Sequence, residues 1–165
     1  MRRLIQALCA LLLVLATAAG PGPAAAEPVT SAPVEIDLQY RRGLEALRVG
    51  QLDQAEAAAL AILGPQPLNL NGRQLLGLVK ARRGDLVGAV LEFDRVLAKD
   101  PKFVQAREER AVLLARLGRQ GRARADLDAL RARAAECGRA CPPDLRKAVS
   151  RVEAALVAVR PAANL

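Results

Sequence analysis

Residues 71–103, NGRQLLGLVKARRGDLVGAVLEFDRVLAKDPKF, decide how this chain folds. Leu75, Leu76 and Val79, then Leu86, Ala89, Val90, Phe93, Val96 and Leu97, recur at helical spacing. They therefore share one face on each of two helices. Gly84 supplies a permissive residue where the first helix stops. Asp85 stands at the N-cap of the second, its carboxylate placed to accept from free backbone N–H groups. Pro101 drives Asp100 out of the α region and ends the second helix.

One such hairpin cannot bury its own apolar stripe, so recurrence is the next question. Gly50, Gly84 and Gly118 are evenly spaced, and Ala55, Ala89 and Ala123 follow the same interval. Gly43, Gly77 and Ala111 repeat the step and are always small, and Leu44, Leu78 and Val112 come one residue later and are always apolar. Columns held in register at one period of this size predict a stacked array.

With Leu76-Gly77, Gly84, Ala89, Phe93 and Asp100-Pro101, the middle copy resembles the tetratricopeptide repeat family. The third copy keeps Ala111, Leu114, Gly118, Ala123, Leu127 and Leu130, with Ala135 where proline is usual. The first keeps Gly43, Gly50, Ala55 and Pro67, with Ala59 where an aromatic is usual. Arg73, Lys80 and Arg107 replace aromatics that the family often carries in its first helix. The resemblance implies an all-α, right-handed α-solenoid of three antiparallel helical hairpins, over residues 36–69, 70–103 and 104–137. It implies a binding scaffold and says little about the partner.

Composition agrees with helix-on-helix packing. The chain is 52% apolar, yet its only aromatics are Tyr40, Phe93 and Phe103. Its 10 prolines cluster at the ends and between the helical segments. There is no histidine, which removes the commonest general base and metal ligand together. No phosphate-cradling loop, nucleophile elbow or H-E-x-x-H is present. No catalytic residue, metal site or cofactor is expected.

Residues 1–26 resemble a secretory signal peptide: Arg2 and Arg3, an apolar run from Leu4 to Ala19, then Ala24-Ala25-Ala26 before Glu27. An uncleaved inner-membrane anchor is the alternative, since a spanning helix needs about 20 apolar residues. Cleavage would lower the formal charge from +8 to +6 through the loss of two arginines. A periplasmic location is expected. Residues 27–35, with two prolines and no helical period, read as a flexible leader.

Beyond the third repeat, ECGRACPPD at 136–144 reads as punctuation within a terminal segment, residues 138–165. Asp144 is the expected N-cap of a last helix over 145–159, with Ala148, Val149, Val152, Leu156 and Val159 on one side. An array exposes the flank of its last repeat, so a capping helix is expected there. Cys137 and Cys141 predict a disulfide in an exported chain. On an unbroken helix that spacing is slightly too wide, but Gly138 and Pro142 turn the backbone. The bridge would fasten the capping helix to the third repeat. The alternatives are a thiol-redox pair, at odds with three intervening residues rather than two, and a metal site, which two thiolates do not complete.

In the tetratricopeptide family the first helices of successive repeats line the concave surface. Carried over, this implies a groove of Asp37, Tyr40, Arg41, Leu44, Leu47 and Arg48 from the first repeat. The second supplies Asn71, Gln74, Leu75, Leu78, Ala81 and Arg82, and the third Gln105, Glu108, Glu109, Val112, Ala115 and Arg116. Arg48, Arg82 and Arg116 recur once per repeat and make a cationic ladder beside the apolar ladder of Leu44, Leu78 and Val112. Arginine's planar fork suits carboxylates. The same arginines also suit helix C-termini as a solvated rim. Tyr40, Leu44 and Leu78 stand where the subfamily that clamps acidic tails of heat-shock chaperones needs Lys and Asn, so that partner is not expected.

The expected partner is another protein or a peptide of the cell envelope, with a membrane-associated assembly factor as the alternative. Nucleic acid is the competing class, from a dense run of arginines between Arg116 and Arg133. Against it stand the export signal and the lack of aromatic stacking platforms. A charge of +6 also suits weak contact with anionic membrane surfaces.

Overall fold

A computed structural model describes residues 32–159. The expected signal peptide and residues 27–31 of the leader lie outside the described residues. Seven α-helices and one 3-10 turn follow, with no strand among the described residues. They are α1 (Ala32–Arg48), α2 (Leu52–Leu63), α3 (Leu70–Arg82), α4 (Leu86–Lys99), α5 (Val104–Arg116), α6 (Gln120–Cys137) and α7 (Pro143–Ala158). No helix among them is long and apolar enough to cross a membrane.

The three hairpins, α1–α2, α3–α4 and α5–α6, turn identical corners. Gly50, Gly84 and Gly118 have φ of 79°, 87° and 72°. Gln51, Asp85 and Arg119 then donate backbone N–H bonds back to the carbonyls of Ala46, Lys80 and Leu114 at 2.8, 2.9 and 2.8 Å. This is the Schellman closure, and it needs a residue that tolerates the left-handed region. Asp85 caps α4 as expected, its Oδ1 accepting from the Gly88 N–H at 2.8 Å. Asp100 is extended at φ −131°, ahead of Pro101.

Small residues set the approach of the two helices in a hairpin. Ala55, Ala89 and Ala123 are fully buried. A Cβ on Gly77 would meet the Phe93 ring at 3.0 Å. The core runs along the array in overlapping blocks. Ala55, Ala59 and Leu63 pack with Leu75, Leu76 and Val79. Val90, Phe93, Val96 and Leu97 pack with Ala106, Leu113 and Leu114. Leu127 and Leu130 pack with Leu145, Ala148 and Val152 of α7. Leu78 touches the first two blocks, and Leu156 the last two. Each hairpin is thus buried by its neighbour, and α7 covers the last one.

Three sequence expectations are corrected. Residues 32–35 belong to α1 rather than to a flexible leader. Pro33 sits in the first turn, where its missing N–H costs nothing, and Glu35 complements the helix dipole there. The second helix of the third hairpin starts at Gln120 and runs to Cys137, so Glu136 and Cys137 are helical. Asp144 does not cap α7: Pro142 holds the cap position, Pro143 opens the helix, and Asp144 lies in its first turn.

Gly138, at φ 54°, breaks α6 and starts the 3-10 turn Gly138–Ala140. That turn brings the Cα atoms of Cys137 and Cys141 to 4.9 Å, joined by a disulfide. Cys141 is buried among Leu127, Leu130 and Leu145, so the bridge ties the start of α7 to the end of α6.

Candidate functional site

The first helices α1, α3 and α5 carry the expected groove residues. Leu44 is 38% exposed, and Leu78 and Val112 are half-buried. Arg48, Arg82 and Arg116 are exposed, each the last residue of its helix. Arg48 is held by Glu45 of its own helix through two bonds of 2.6 and 2.9 Å. Arg82 Nη1 reaches the Leu47 carbonyl at 3.4 Å. Arg116 forms no hydrogen bond or ion pair among the described residues. Each hairpin thus ends its first helix on an exposed arginine.

Tyr40 and Gln74 tie the first two hairpins together: the Tyr40 hydroxyl donates to Gln74 Oε1 at 2.7 Å. Partial burial raises the phenol pKa. Asn71 is half-buried and Gln105 exposed. Arg41 is exposed and paired with Asp37 at 2.9 Å. Leu47, Leu75 and Ala115 do not line the surface; they are core.

The third hairpin differs most from the sequence reading. Arg151 of α7 bonds Glu108 at 2.6 Å and Glu109 at 3.0 Å. Val112 packs against the core block that α7 completes. The capping helix thus occupies carboxylates expected to face a partner. Sequence periodicity could not show this, because α7 falls outside the repeat.

Glu108 is squeezed between these effects. Burial raises its carboxyl pKa more than Arg151 lowers it. A folded-state pKa above the unfolded one contributes stability at low pH, which is lost as pH rises through the raised value. Glu108→Gln should therefore match the parent in acid and gain stability over it as pH approaches neutrality. Urea unfolding at both pH values checks this.

A second device is repeated inside the hairpins. Glu92 is 2% exposed and Asp126 is 3% exposed, and they hold equivalent positions on α4 and α6. Arg73 donates to Glu92 at 3.0 Å and to the Pro67 carbonyl at 2.9 Å. Arg107 likewise donates to Asp126 at 3.0 Å and to the Pro101 carbonyl at 2.5 Å. Lys80 and Arg95 complete the shell of Glu92, and Arg110 that of Asp126. Among the described residues no buried side-chain N or O lacks a partner. The charges at 73, 80 and 107, which stand where aromatics are usual, are thus the cationic half of an internal ion-pair lattice.

No group of three His, Cys, Asp or Glu side chains that could hold a metal occurs among the described residues. Ion pairs bridge successive hairpins on their flanks: Asp53 and Glu56 with Arg83, and Asp94 with Arg110 and Arg122.

No protein-family model matches the sequence, and a search of curated proteins finds no match. Solved structures do match. The TPR2B domain of yeast Sti1, in its pHsp70 complex, aligns at a TM-score of 0.59 and 19% identity over 73% of this chain and 97% of that one. The fold is tetratricopeptide-like. The Yersinia enterocolitica type III secretion translocator chaperone SycD aligns at 0.65 and 16% identity, over 81% of this chain and 96% of that one. A Thermobaculum terrenum O-GlcNAc transferase aligns at 0.60 and 22% identity, but this chain spans only 23% of that enzyme. These likenesses establish the all-α solenoid.

Proposed function

We propose that this protein is an exported, non-catalytic scaffold that holds a segment of another cell-envelope protein in the concave face of its hairpin array. The observation that carries this reading is the pair of parallel ladders on α1, α3 and α5. Leu44, Leu78 and Val112 offer an apolar strip, and Arg48, Arg82 and Arg116 edge it with one guanidinium group per hairpin. A peptide with an apolar side and an acidic side is complementary to both. Two structurally similar proteins are, by their descriptions, a domain in complex with pHsp70 and a secretion translocator chaperone, which supports a binding role.

Export rests on the sequence of residues 1–26, and N-terminal sequencing of the mature protein should return Glu27 as its first residue. The triple variant Arg48→Glu, Arg82→Glu, Arg116→Glu tests the groove. It should fold as the parent does and lose partner capture from periplasmic extract. Undiminished capture would leave the three arginines as a solvated rim at helix ends.

A further inference from the structure

The ion-pair lattice stops at the first hairpin. Ala58 stands where Glu92 and Asp126 stand, and Gln39 where Arg73 and Arg107 stand. A cleft of about 590 Å³ lies between α1 and α2, walled by Gln39, Arg42, Glu45, Gln54, Ala57 and Ala61 over the buried Ala58. Arg42 is the equivalent of Arg110, two repeats earlier. Arg110 is bonded by Asp126 of its own hairpin and by Asp94 of the preceding one, each at 2.6 Å. Arg42 is exposed and has neither partner among the described residues. Of the other charges on α1, Glu45 pairs with Arg48 and Asp37 with Arg41, while Glu35 accepts from the Gln39 side-chain amide at 2.7 Å.

We propose that this flank is a second docking surface, taking a helix of another protein that presents a carboxylate to Arg42 over the alanine floor. The array itself supplies the template. At the next two junctions a helix of the preceding hairpin brings acids to cations of the following one, Asp53 and Glu56 to Arg83, and Asp94 to Arg110 and Arg122. Of the receiving cations, the first hairpin keeps one, Arg42 in the place of Arg110, with Val49 and Gln54 in the places of Arg83 and Arg122. A copy of this chain stacking by its capped end fits poorly, because the outer side of α7 carries Arg146 and Lys147, which would meet Arg42. The surface meets the concave groove at Glu45, which Arg48 holds.

The probe is a blocked peptide of residues 86–100 of this chain, the helix whose Asp94 completes the equivalent junction. Added to the mature protein, it should shift the methyl resonances of Ala57, Ala58 and Ala61 and the Arg42 Nε–H. Its Asp94→Asn form should bind at least about fivefold more weakly, the loss of one charge-assisted pair. Ala58→Glu supplies the missing acid internally and should lower binding at least about tenfold, while Arg42→Glu, a surface change that leaves the core intact, should do the same. The double groove variant Arg82→Glu, Arg116→Glu, which keeps the Arg48–Glu45 pair, should bind the peptide as the parent does. No shift, or equal binding of the Asn peptide, overturns the proposal. So does concentration-dependent self-association abolished by Ala58→Glu, which would make the occupant a second copy of this chain.

Discussion

Replacing Phe93 with alanine should cost about 3–5 kcal/mol of stability, the range for truncating a fully buried aromatic. Phe93 is the largest fully buried side chain among the described residues. Its ring lies against Gly77, and that contact fixes how closely α3 and α4 approach. It also belongs to the block that joins the second hairpin to the third. The cavity cannot close by collapse of one helix without parting the next junction. Leucine should be tolerated better, at under about 1.5 kcal/mol, because Leu127 holds the same position in the third hairpin. Urea midpoints of the two variants check this, and equal losses for alanine and leucine would contradict it.

The second large effect is expected at Glu92. Burial pushes its carboxyl pKa up, but the bonds from Lys80, Arg95 and Arg73 outweigh burial and hold it below the ordinary carboxylate range. A depressed folded-state pKa means that Glu92 contributes stability above its unfolded value and loses it as pH falls through the folded one. Glu92→Ala strands three cations. Arg73 is 22% exposed, Lys80 31% and Arg95 55%, so each can turn partly to water. The loss at neutral pH should therefore be about 2–3 kcal/mol, below the ~3–5 kcal/mol of a pair broken in a sealed core. Glu92→Gln should flatten the acid limb of the stability profile. Unfolding series at neutral and acid pH measure both, and an unchanged acid limb in Glu92→Gln would contradict the assigned role.

Much of this architecture is legible in the sequence because its causes are local. Gly84, Asp85 and Pro101 write one corner, one cap and one stop, and each does so through its own backbone chemistry. The recurrence of Gly50 and Gly118 carries that reading along the chain. The start of α7 is less legible, because Asp144 and Pro143 are both good openers and only the course of the chain after the disulfide chooses between them.

The ion-pair lattice is hidden for a different reason. Arg73 and Lys80 look like lost aromatics until Glu92 is placed beside them. The one sequence signal is that Arg73–Glu92 and Arg107–Asp126 repeat the same separation of 19 residues. The proposed groove rests on its ladders, Leu44, Leu78 and Val112 with their arginines. It is not legible at Glu108 and Glu109, because Arg151 comes from a helix that the period does not reach.

The most direct test of the concave face as the working surface is photo-crosslinking in intact cells, with the reactive group placed at Leu78 and, separately, at Leu91. Both side chains are reachable, since Leu78 is half-buried on α3 and Leu91 is 51% exposed on α4. A discrete envelope protein captured from Leu78 and not from Leu91 is the predicted result. Capture from Leu91 with none from Leu78 would contradict it.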